Sequence, residues 1–233
     1  MIGFFTLIAF AVAACAFIAL RAWCDHKAAL AQRRGLLDEA ALLFDDPRIT
    51  IAPDRFPVLA ASLEDGAKVR LEIISDSLVT RRLPQLWLRL VLSERRGRPR
   101  PTIGALARPT GAEYYSLVHD MPHWLEPPDV GVPLLVRGDG SAGASQVARL
   151  SGLFRTFFSD PTLKEAVITP RATSVIRQVA QGDRGAHVLL RQAHFKLSAV
   201  PAELVHQALS EARALSAALA QDPLQAEPSY EAA

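Results

Sequence analysis

Residues 2–20 read IGFFTLIAFAVAACAFIAL, and Thr6 is the only plainly polar side chain in this run. As an α-helix these nineteen residues would extend about 28 Å, close to the ~30 Å thickness of a bilayer's hydrocarbon core. A helix satisfies its own backbone hydrogen bonds, so this run can cross lipid without help from other segments. The sequence therefore predicts a transmembrane anchor over residues 1–22.

Two other N-terminal signals have a similar composition. A cleaved signal peptide begins with a positively charged stretch, whereas here the first basic residues, Arg21 and Lys27, follow the apolar run. Residues 12–15 (VAAC) have the form of a lipoprotein signal, but residues 16–20 remain apolar. We therefore favour an uncleaved anchor over a cleaved signal peptide or a lipoprotein signal.

Basic residues follow the apolar run, and they set the expected orientation. Four of them lie within the next fourteen positions: Arg21, Lys27, Arg33 and Arg34. Lysine and arginine are retained on the cytoplasmic side of a membrane, so we expect the globular part in the cytoplasm. Trp23 lies where an interfacial aromatic anchor would. The abundance of Ala, Leu and Arg is typical of bacterial proteins, so we expect a single-pass protein of a bacterial inner membrane.

The rest of the chain is long enough for one globular domain. The protein has 233 residues, 50% of them hydrophobic, and a net charge of +2, which by itself does not indicate a nucleic-acid partner. Cys15 and Cys24 lie in or beside the anchor, so the globular part has no disulfide framework and no cysteine metal site. We expect a juxtamembrane helix over residues 23–46, a domain over residues 47–220 and a loose tail over residues 221–233.

The hydrophobic pattern predicts an α+β domain with a mostly antiparallel sheet. Strands are expected at Arg48–Ala52, Phe56–Leu63, Lys68–Ile74, Leu86–Leu92, Glu113–Val118, Pro133–Arg137 and His187–Leu197. Helices are expected at Ala28–Phe44, Asp160–Ala166, Thr169–Val179, Ala144–Phe158 and Ser198–Leu219. The first of these helices has a weak point at Gly35. It either packs on its own domain or forms a stalk that pairs with another helix.

A glycine-rich loop is the first candidate site. Residues 138–143 (GDGSAG) match GxGxxG through Gly138, Gly140 and Gly143, between a predicted strand and a predicted helix. That context suits a dinucleotide, because the glycines let the backbone approach pyrophosphate at a helix N-terminus. However, Asp139 would repel phosphate, and the preceding strands form hairpins rather than βαβ units. We therefore favour a surface loop over a cofactor site, and no cofactor is expected.

Arginine is unusually dense between Arg81 and Arg108. The segment has a single acidic residue, Glu94, against eight arginines: Arg81, Arg82, Arg89, Arg95, Arg96, Arg98, Arg100 and Arg108. Four of them are the candidate contacts to an anionic partner: Arg95, Arg96, Arg98 and Arg100. A solvated loop, contact with anionic lipid or with an acidic protein, and nucleic-acid binding are the alternatives. Residues 96–99 (RGRP) have the form of an AT-hook core, but one such match is a weak signal, and we do not expect a nucleic-acid partner.

Histidines and carboxylates cluster between His119 and Asp129. His119 and His123 are the candidate metal ligands, with Glu126 nearby, and the same groups could transfer protons. The interleaved prolines favour a turn with surface polar groups instead. The chain has no GxSxG elbow, no GxxxxGK[ST] phosphate loop and no HExxH motif, which disfavours an enzyme without excluding one.

These observations favour an accessory, scaffolding or assembly protein of a membrane complex. Its expected partners are the lipid bilayer and other membrane proteins. Two rival functions are retained. One is a membrane-tethered enzyme that uses the glycine loop or the histidine cluster. The other is a tethered binder of anionic lipid or nucleic acid that uses the segment Arg81–Arg108.

Overall fold

A computed structural model describes residues 2–77, 82–98, 100–185, 187 and 193–219. The chain begins with one long helix, α1 (Ile2–Arg34), followed by a 3-10 turn (Gly35–Leu37) and a short helix, α2 (Asp38–Ala41). By length and composition, the α1 region is the one helical segment of the described chain that could cross a membrane. The predicted helical stretch Ala28–Phe44 is thus confirmed up to Ala41, and its geometry changes at Gly35 as expected.

The described residues of the globular part form nine strands in one sheet. They are β1 (Arg48–Ile51), β2 (Pro57–Ser62), β3 (Lys68–Asp76), β4 (Gln85–Ser93), β5 (Ile103–Ala107), β6 (His123–Leu125), β7 (Leu134–Gly138), β8 (Leu163–Ile168) and β9 (Ala172–Gln181). The spatial order is β1-β2-β3-β4-β9-β8-β5-β7-β6, and each described pair is antiparallel. The predicted α+β class with an antiparallel sheet is confirmed.

Two helices, α3 (Ala144–Phe158) and α4 (Ala202–Ala218), cover one face of the sheet. Both have apolar side chains at helical spacing, and these are buried in the main core: Val147, Leu150, Phe154, Phe158, Val205, Ala208, Ala212 and Leu215. They share that core with alternate residues of the central strand β4: Leu86, Leu88, Leu90 and Leu92. The predicted helices at Ala144–Phe158 and Ser198–Leu219 are confirmed, the second with a later start.

The connection between β5 and β6 covers the other face of the sheet. Tyr115 packs with Trp87 and Ile176, while Val118 and Met121 pack in a second small cluster. The segment consists of turns and a 3-10 turn (Val118–Asp120), so the predicted strand at Glu113–Val118 is wrong. The aromatic and β-branched residues of this segment pack against the face of the sheet and do not form one of its strands.

The helices predicted at Asp160–Ala166 and Thr169–Val179 are also wrong, because this region is the hairpin β8–β9. Strands β5 and β6 were not predicted. Residues 188–192 of the strand predicted at His187–Leu197 lie outside the described residues, and its described residues, 187 and 193–197, are not in a strand.

Candidate anion-binding site

The arginines of the β4–β5 connection lie at one end of the sheet, beside the β2–β3 turn and the C-terminal end of α4. Arg95, Arg96 and Arg98 are exposed, and Arg213 of α4 joins them. A cavity of about 450 Å³ lies among them, and Asp65, Glu94 and Ser216 complete its polar lining. We call this cavity the arginine pocket. Its four arginines outnumber its two carboxylates, which favours an anionic occupant.

The backbone around these arginines is tied to the β8–β9 turn. Glu94 N donates to Arg171 O at 2.9 Å, and Arg98 N donates to Pro170 O at 2.7 Å. Arg95 lies against the β2–β3 turn, since a Cβ added at Gly66 would be 3.4 Å from its Cδ. Neighbouring elements therefore hold this connection in place. Of the AT-hook-like residues 96–99, Pro99 lies outside the described residues.

Arg100 has a structural role and does not reach the surface. Its side chain is buried, and its guanidinium donates to Thr169 O at 2.7 Å and to Ser216 O at 3.0 Å. It also forms an ion pair with Glu94 at 2.7 Å. Burial lowers the pKa of Arg100, and the Glu94 carboxylate opposes that shift. Of the four predicted contacts, Arg100 is thus the one that an external anion does not reach.

Glu94 divides the remaining arginines into two groups. Its carboxylate pairs with Arg98 at 2.9 Å and accepts from Ser216 Oγ at 2.5 Å. By contrast, no ion pair between described residues involves Arg95, Arg96 or Arg213. Among the described residues, these three guanidinium groups therefore have no carboxylate partner.

Arg213 was missed from the sequence, because it lies more than a hundred positions after the other arginines. The sequence did contain a sign that Arg213 has a role of its own. It is an exposed helical arginine with no acidic residue three or four positions away, so it lacks the usual local partner on its helix. Only the packing of α4 on β4 and β9 brings it to the β4–β5 connection.

A larger cavity, of about 840 Å³, lies between α1 and the domain. Its lining comes from the α1 residues between Ala22 and Arg33, from Leu36, Phe56 and Leu86, and from residues 193–197. Gln32 Nε2 donates to Leu197 O at 2.6 Å, and Arg33 lies over the Phe56 ring at 5.2 Å. These contacts mark where the domain meets α1.

The arginine pocket and this junction lie at opposite ends of the same elements. Leu86 of β4 lines the junction cavity, and Leu92 of the same strand lines the arginine pocket. At ~3.3 Å per strand residue, these two leucines are about 20 Å apart. Val200 N, just before α4, donates to Leu36 O at 2.8 Å, whereas Ser216 near the end of α4 lines the arginine pocket. The arginines thus lie at the end of the domain away from α1.

The glycine loop has a structural explanation. Its three glycines lie at the end of β7, in the turn and before α3: Gly138, Gly140 and Gly143. Strand β7 pairs antiparallel with both neighbours, so the parallel βαβ context of a dinucleotide site is missing. Asp139 Oδ1 accepts from Ser141 N at 3.0 Å, and Gln146 Oε1 accepts from Gly143 N at 2.9 Å. A Cβ at Gly140 would lie 2.8 Å from the His123 ring, which explains that glycine.

The two candidate metal ligands point to different neighbours. His119 Nε2 lies 3.4 Å from Glu113 Oε2, while His123 lies on the edge strand β6 beside Gly140. Within the described residues, no group of three or more His, Cys, Asp or Glu side chains could hold a metal ion. Glu113 is instead engaged by the buried Lys164 ammonium, whose Nζ lies 2.8 Å from Glu113 Oε1.

No protein-family model and no curated protein matches the sequence. One solved structure, that of the mycobacterial trehalose monomycolate transport factor A (TtfA), is similar over 80% of this chain and 83% of that one. The identity is 12% and the TM-score is 0.40. At that level the similarity shows neither a shared family nor a shared function.

Proposed function

We propose that this protein is a membrane-anchored accessory or scaffolding protein that holds an acidic segment of a partner protein in the arginine pocket. One observation carries the proposal. Arg95, Arg96 and Arg213, from two distant parts of the chain, converge on one cavity and form no ion pair with a described residue. Like charges around one cavity repel one another, and a bound anion relieves that repulsion. Guanidinium groups recognise carboxylates through paired hydrogen bonds.

The geometry favours a protein partner over the membrane's own lipid. The pocket lies about 20 Å along β4 from the junction with α1. Lipid headgroups attract arginines only within about a Debye length, ~8–10 Å, so they would reach the pocket only if this end of the domain lay against the bilayer. A small concave site also suits a few side chains better than an extended nucleic-acid backbone, which is usually met by a long basic stripe. An acidic peptide segment fits the size and the charge.

The proposal includes a location. We propose that α1 crosses a bacterial inner membrane once and that the domain lies in the cytoplasm. The basic residues after the apolar run support this orientation, and two of them have local partners: Arg21 pairs with Asp25 at 3.3 Å, and Lys27 lies 3.9 Å from the Trp23 ring. Reporter fusions after Ala218 that fluoresce only in the cytoplasm are expected to be active, and a periplasm-only reporter is expected to be silent.

The decisive experiment removes the three unpaired charges. In full-length protein solubilised in mild detergent, Arg95→Ala/Arg96→Ala/Arg213→Ala is expected to weaken binding of a fluorescent octaglutamate peptide about tenfold or more, because each guanidinium contributes a charge-assisted hydrogen bond. The same substitutions should remove proteins that co-migrate with the wild type on a sizing column.

The matched control removes three exposed arginines that lie outside the pocket: Arg48→Ala/Arg55→Ala/Arg184→Ala. It changes the net charge equally, so it separates a specific pocket from a general charge effect. Equal losses in the two variants, or no peptide binding to the wild type at low salt, would reject the proposal. Specific binding should also weaken as salt is raised.

A further inference from the structure

The junction cavity, the one of about 840 Å³ between α1 and the domain, has a mostly apolar lining. Its floor is formed by Leu36, Phe56 and Leu86, whose side chains belong to the main core. Phe195 and Leu197 pack against the same core and also line the cavity. A cavity of this volume, with apolar walls and a few polar groups, has the usual character of a site for a small organic ligand.

Helix α1 brings the junction cavity to the surface of the proposed membrane. The apolar run ends at Leu20, and Ala22, only two residues later, already lines the cavity. The α1 side of the lining continues to Arg33, about 16 Å farther along the helix at ~1.5 Å per residue. With α1 across the membrane, as proposed above, the end of the cavity at Ala22 therefore lies at the level of the lipid headgroups.

The charged groups of the junction cavity favour a single negative charge. The Arg33 guanidinium lies over the Phe56 ring at 5.2 Å and forms no ion pair with a described residue. The lining carboxylate, Asp25, already forms an ion pair on its own helix, at 3.3 Å. Two imidazoles, those of His26 and His194, add further hydrogen-bond donors to the lining. One guanidinium fork without a carboxylate matches one carboxylate in charge and in shape.

We infer that the junction cavity binds a long-chain fatty acid, with its carboxylate on Arg33 and its acyl chain along α1 towards the membrane. This inference rests on the proposed anchoring of α1 but not on the arginine pocket. Room for the chain is provided by Ala29 and Ala22, two small side chains that lie two turns apart on one face of the helix. A single acyl chain binds a bilayer only weakly and reversibly, so a fatty acid can leave the membrane for the cavity, whereas a two-chain lipid is held much more firmly.

The test is photo-labelling of the full-length protein in nanodiscs of neutral lipid. Palmitic acid with a diazirine in its chain is added, and irradiation joins it to the residues beside that chain. Fatty acid dissolved in the bilayer labels residues 2–20, and this label serves as the internal standard. We expect peptide mapping to find further label on residues 28–33 or 193–197, which line the cavity in part and lie beyond the apolar run. Unlabelled palmitic acid should lower the ratio of cavity label to standard, because the cavity saturates and the bilayer does not.

Two variants test the two ends of the ligand. Arg33→Gln is expected to lower the ratio about tenfold, because the carboxylate loses a charge-assisted hydrogen bond. Ala29→Trp places a large ring where the acyl chain would lie, and it should also lower the ratio about tenfold or more, since each CH₂ group displaced into water costs about fourfold in affinity.

Each variant has a matched control on the same helix. Arg34→Gln removes the same charge from the neighbouring exposed arginine, which does not line the cavity. Ala31→Trp adds the same ring at an exposed position that does not line the cavity either. Both controls are expected to stay within about twofold of the wild type, since only non-specific charge or exposed surface has changed.

Label confined to residues 2–20, or equal losses in a variant and its control, would overturn the inference. Competition by lysophosphatidic acid but not by palmitic acid would overturn it as well, because the ligand would then have a phosphate headgroup. Protein that does not enter nanodiscs would reject both the anchoring of α1 and this inference. The proposed function is judged separately by octaglutamate binding. Cavity labelling without octaglutamate binding rejects the peptide site alone, and octaglutamate binding without cavity labelling rejects the fatty-acid site alone.

Discussion

At the scale of single residues, a buried ion pair lies between the β5–β6 connection and β8. Glu113 and Lys164 are buried, with side-chain exposures of 0% and 3%, and their charged atoms lie 2.8 Å apart. The ammonium also donates to the carbonyls of Ala107 and Arg108, each at 2.9 Å. This arrangement ties the β5–β6 connection to β8, because Glu113 belongs to the first and Lys164 to the second.

Removing one member of this pair should be costly. We expect Glu113→Gln to lower the free energy of unfolding by about 3–5 kcal/mol, because it leaves the Lys164 charge buried without its partner. Chemical denaturation followed by the fluorescence of the buried Trp87 measures the loss. The control is Asp25→Asn, because Asp25 and its partner Arg21 are both largely exposed, and its cost should be below about 1 kcal/mol. Similar losses in the two variants would contradict this account.

The same pair gives a pH dependence whose sign follows from the pKa of Glu113. Burial would raise that pKa, but the Lys164 ammonium and the Thr110 donors outweigh burial and hold it at about 2, below the usual 4.5. The stabilisation is therefore complete above about pH 4.5 and is lost as the pH falls towards 2. The difference in Tm between the wild type and Glu113→Gln should narrow on acidification, because Glu113 also becomes neutral. If the difference in Tm stays constant down to about pH 2.5, the ionised Glu113 is not the source of the stabilisation.

The arginines of the β4–β5 connection show which features of the site the sequence can predict and which it cannot. The exposure of Arg95, Arg96 and Arg98 was expected from a polar connection after a strand, and the structure places all three at the surface. The burial of Arg100 could not be read from the sequence. It depends on Ser216 and Thr169, which are distant along the chain. Local charge density predicts a basic site, whereas the division between structural and accessible arginines requires the tertiary packing.

At the scale of elements, the predictions failed where strands are buried on both faces. Every residue of β8 is buried, and half of β9, Thr173–Arg177, is buried as one continuous run. Such strands lose the alternation of apolar and polar residues that identifies half-buried strands such as β3. The charged Lys164, Glu165 and Arg177 then resemble the polar face of a helix. The β-branched residues of β9 were the better signal.

A glycine in β5 makes the packing of the β5–β6 connection possible. A Cβ added at Gly104 would lie 2.7 Å from Val118 Cγ2 and 3.0 Å from Met121 Cε. We expect Gly104→Ala to lower the free energy of unfolding by about 1–3 kcal/mol through overpacking, and Val118→Ala in the same chain to restore part of the loss.

The matched control for Gly104 is Gly152 in α3, where an added Cβ would meet nothing within 4 Å. Gly152→Ala is expected to raise the free energy of unfolding by about 0.5–1 kcal/mol, because alanine favours a helix interior. Urea denaturation of the two variants measures both effects. If Gly104→Ala leaves the free energy of unfolding unchanged or raises it, the β5–β6 connection does not pack closely against β5.

At the scale of the whole molecule, one sheet lies between α1 and the arginine pocket. At one end of β4 and α4, Leu36, Phe56 and Val200 form the contacts next to α1. The other end carries the arginine pocket. The antiparallel sheet between them is buried over most of its central strands, so the separation of about 20 Å is fixed by the fold rather than by a linker.

That fixed separation predicts how membrane composition affects the pocket. A distance of about 20 Å is roughly twice the Debye length at 0.1 M salt, so anionic headgroups around α1 should be screened from Arg95, Arg96 and Arg213. In nanodiscs, octaglutamate affinity should change less than about twofold when a third of the lipid is made anionic. If anionic lipid instead competes strongly with the peptide, and the competition disappears in Arg95→Ala/Arg96→Ala/Arg213→Ala, the arginines contact the bilayer. Lipid binding would then replace the protein partner, because the domain would have to lie with its pocket against the membrane.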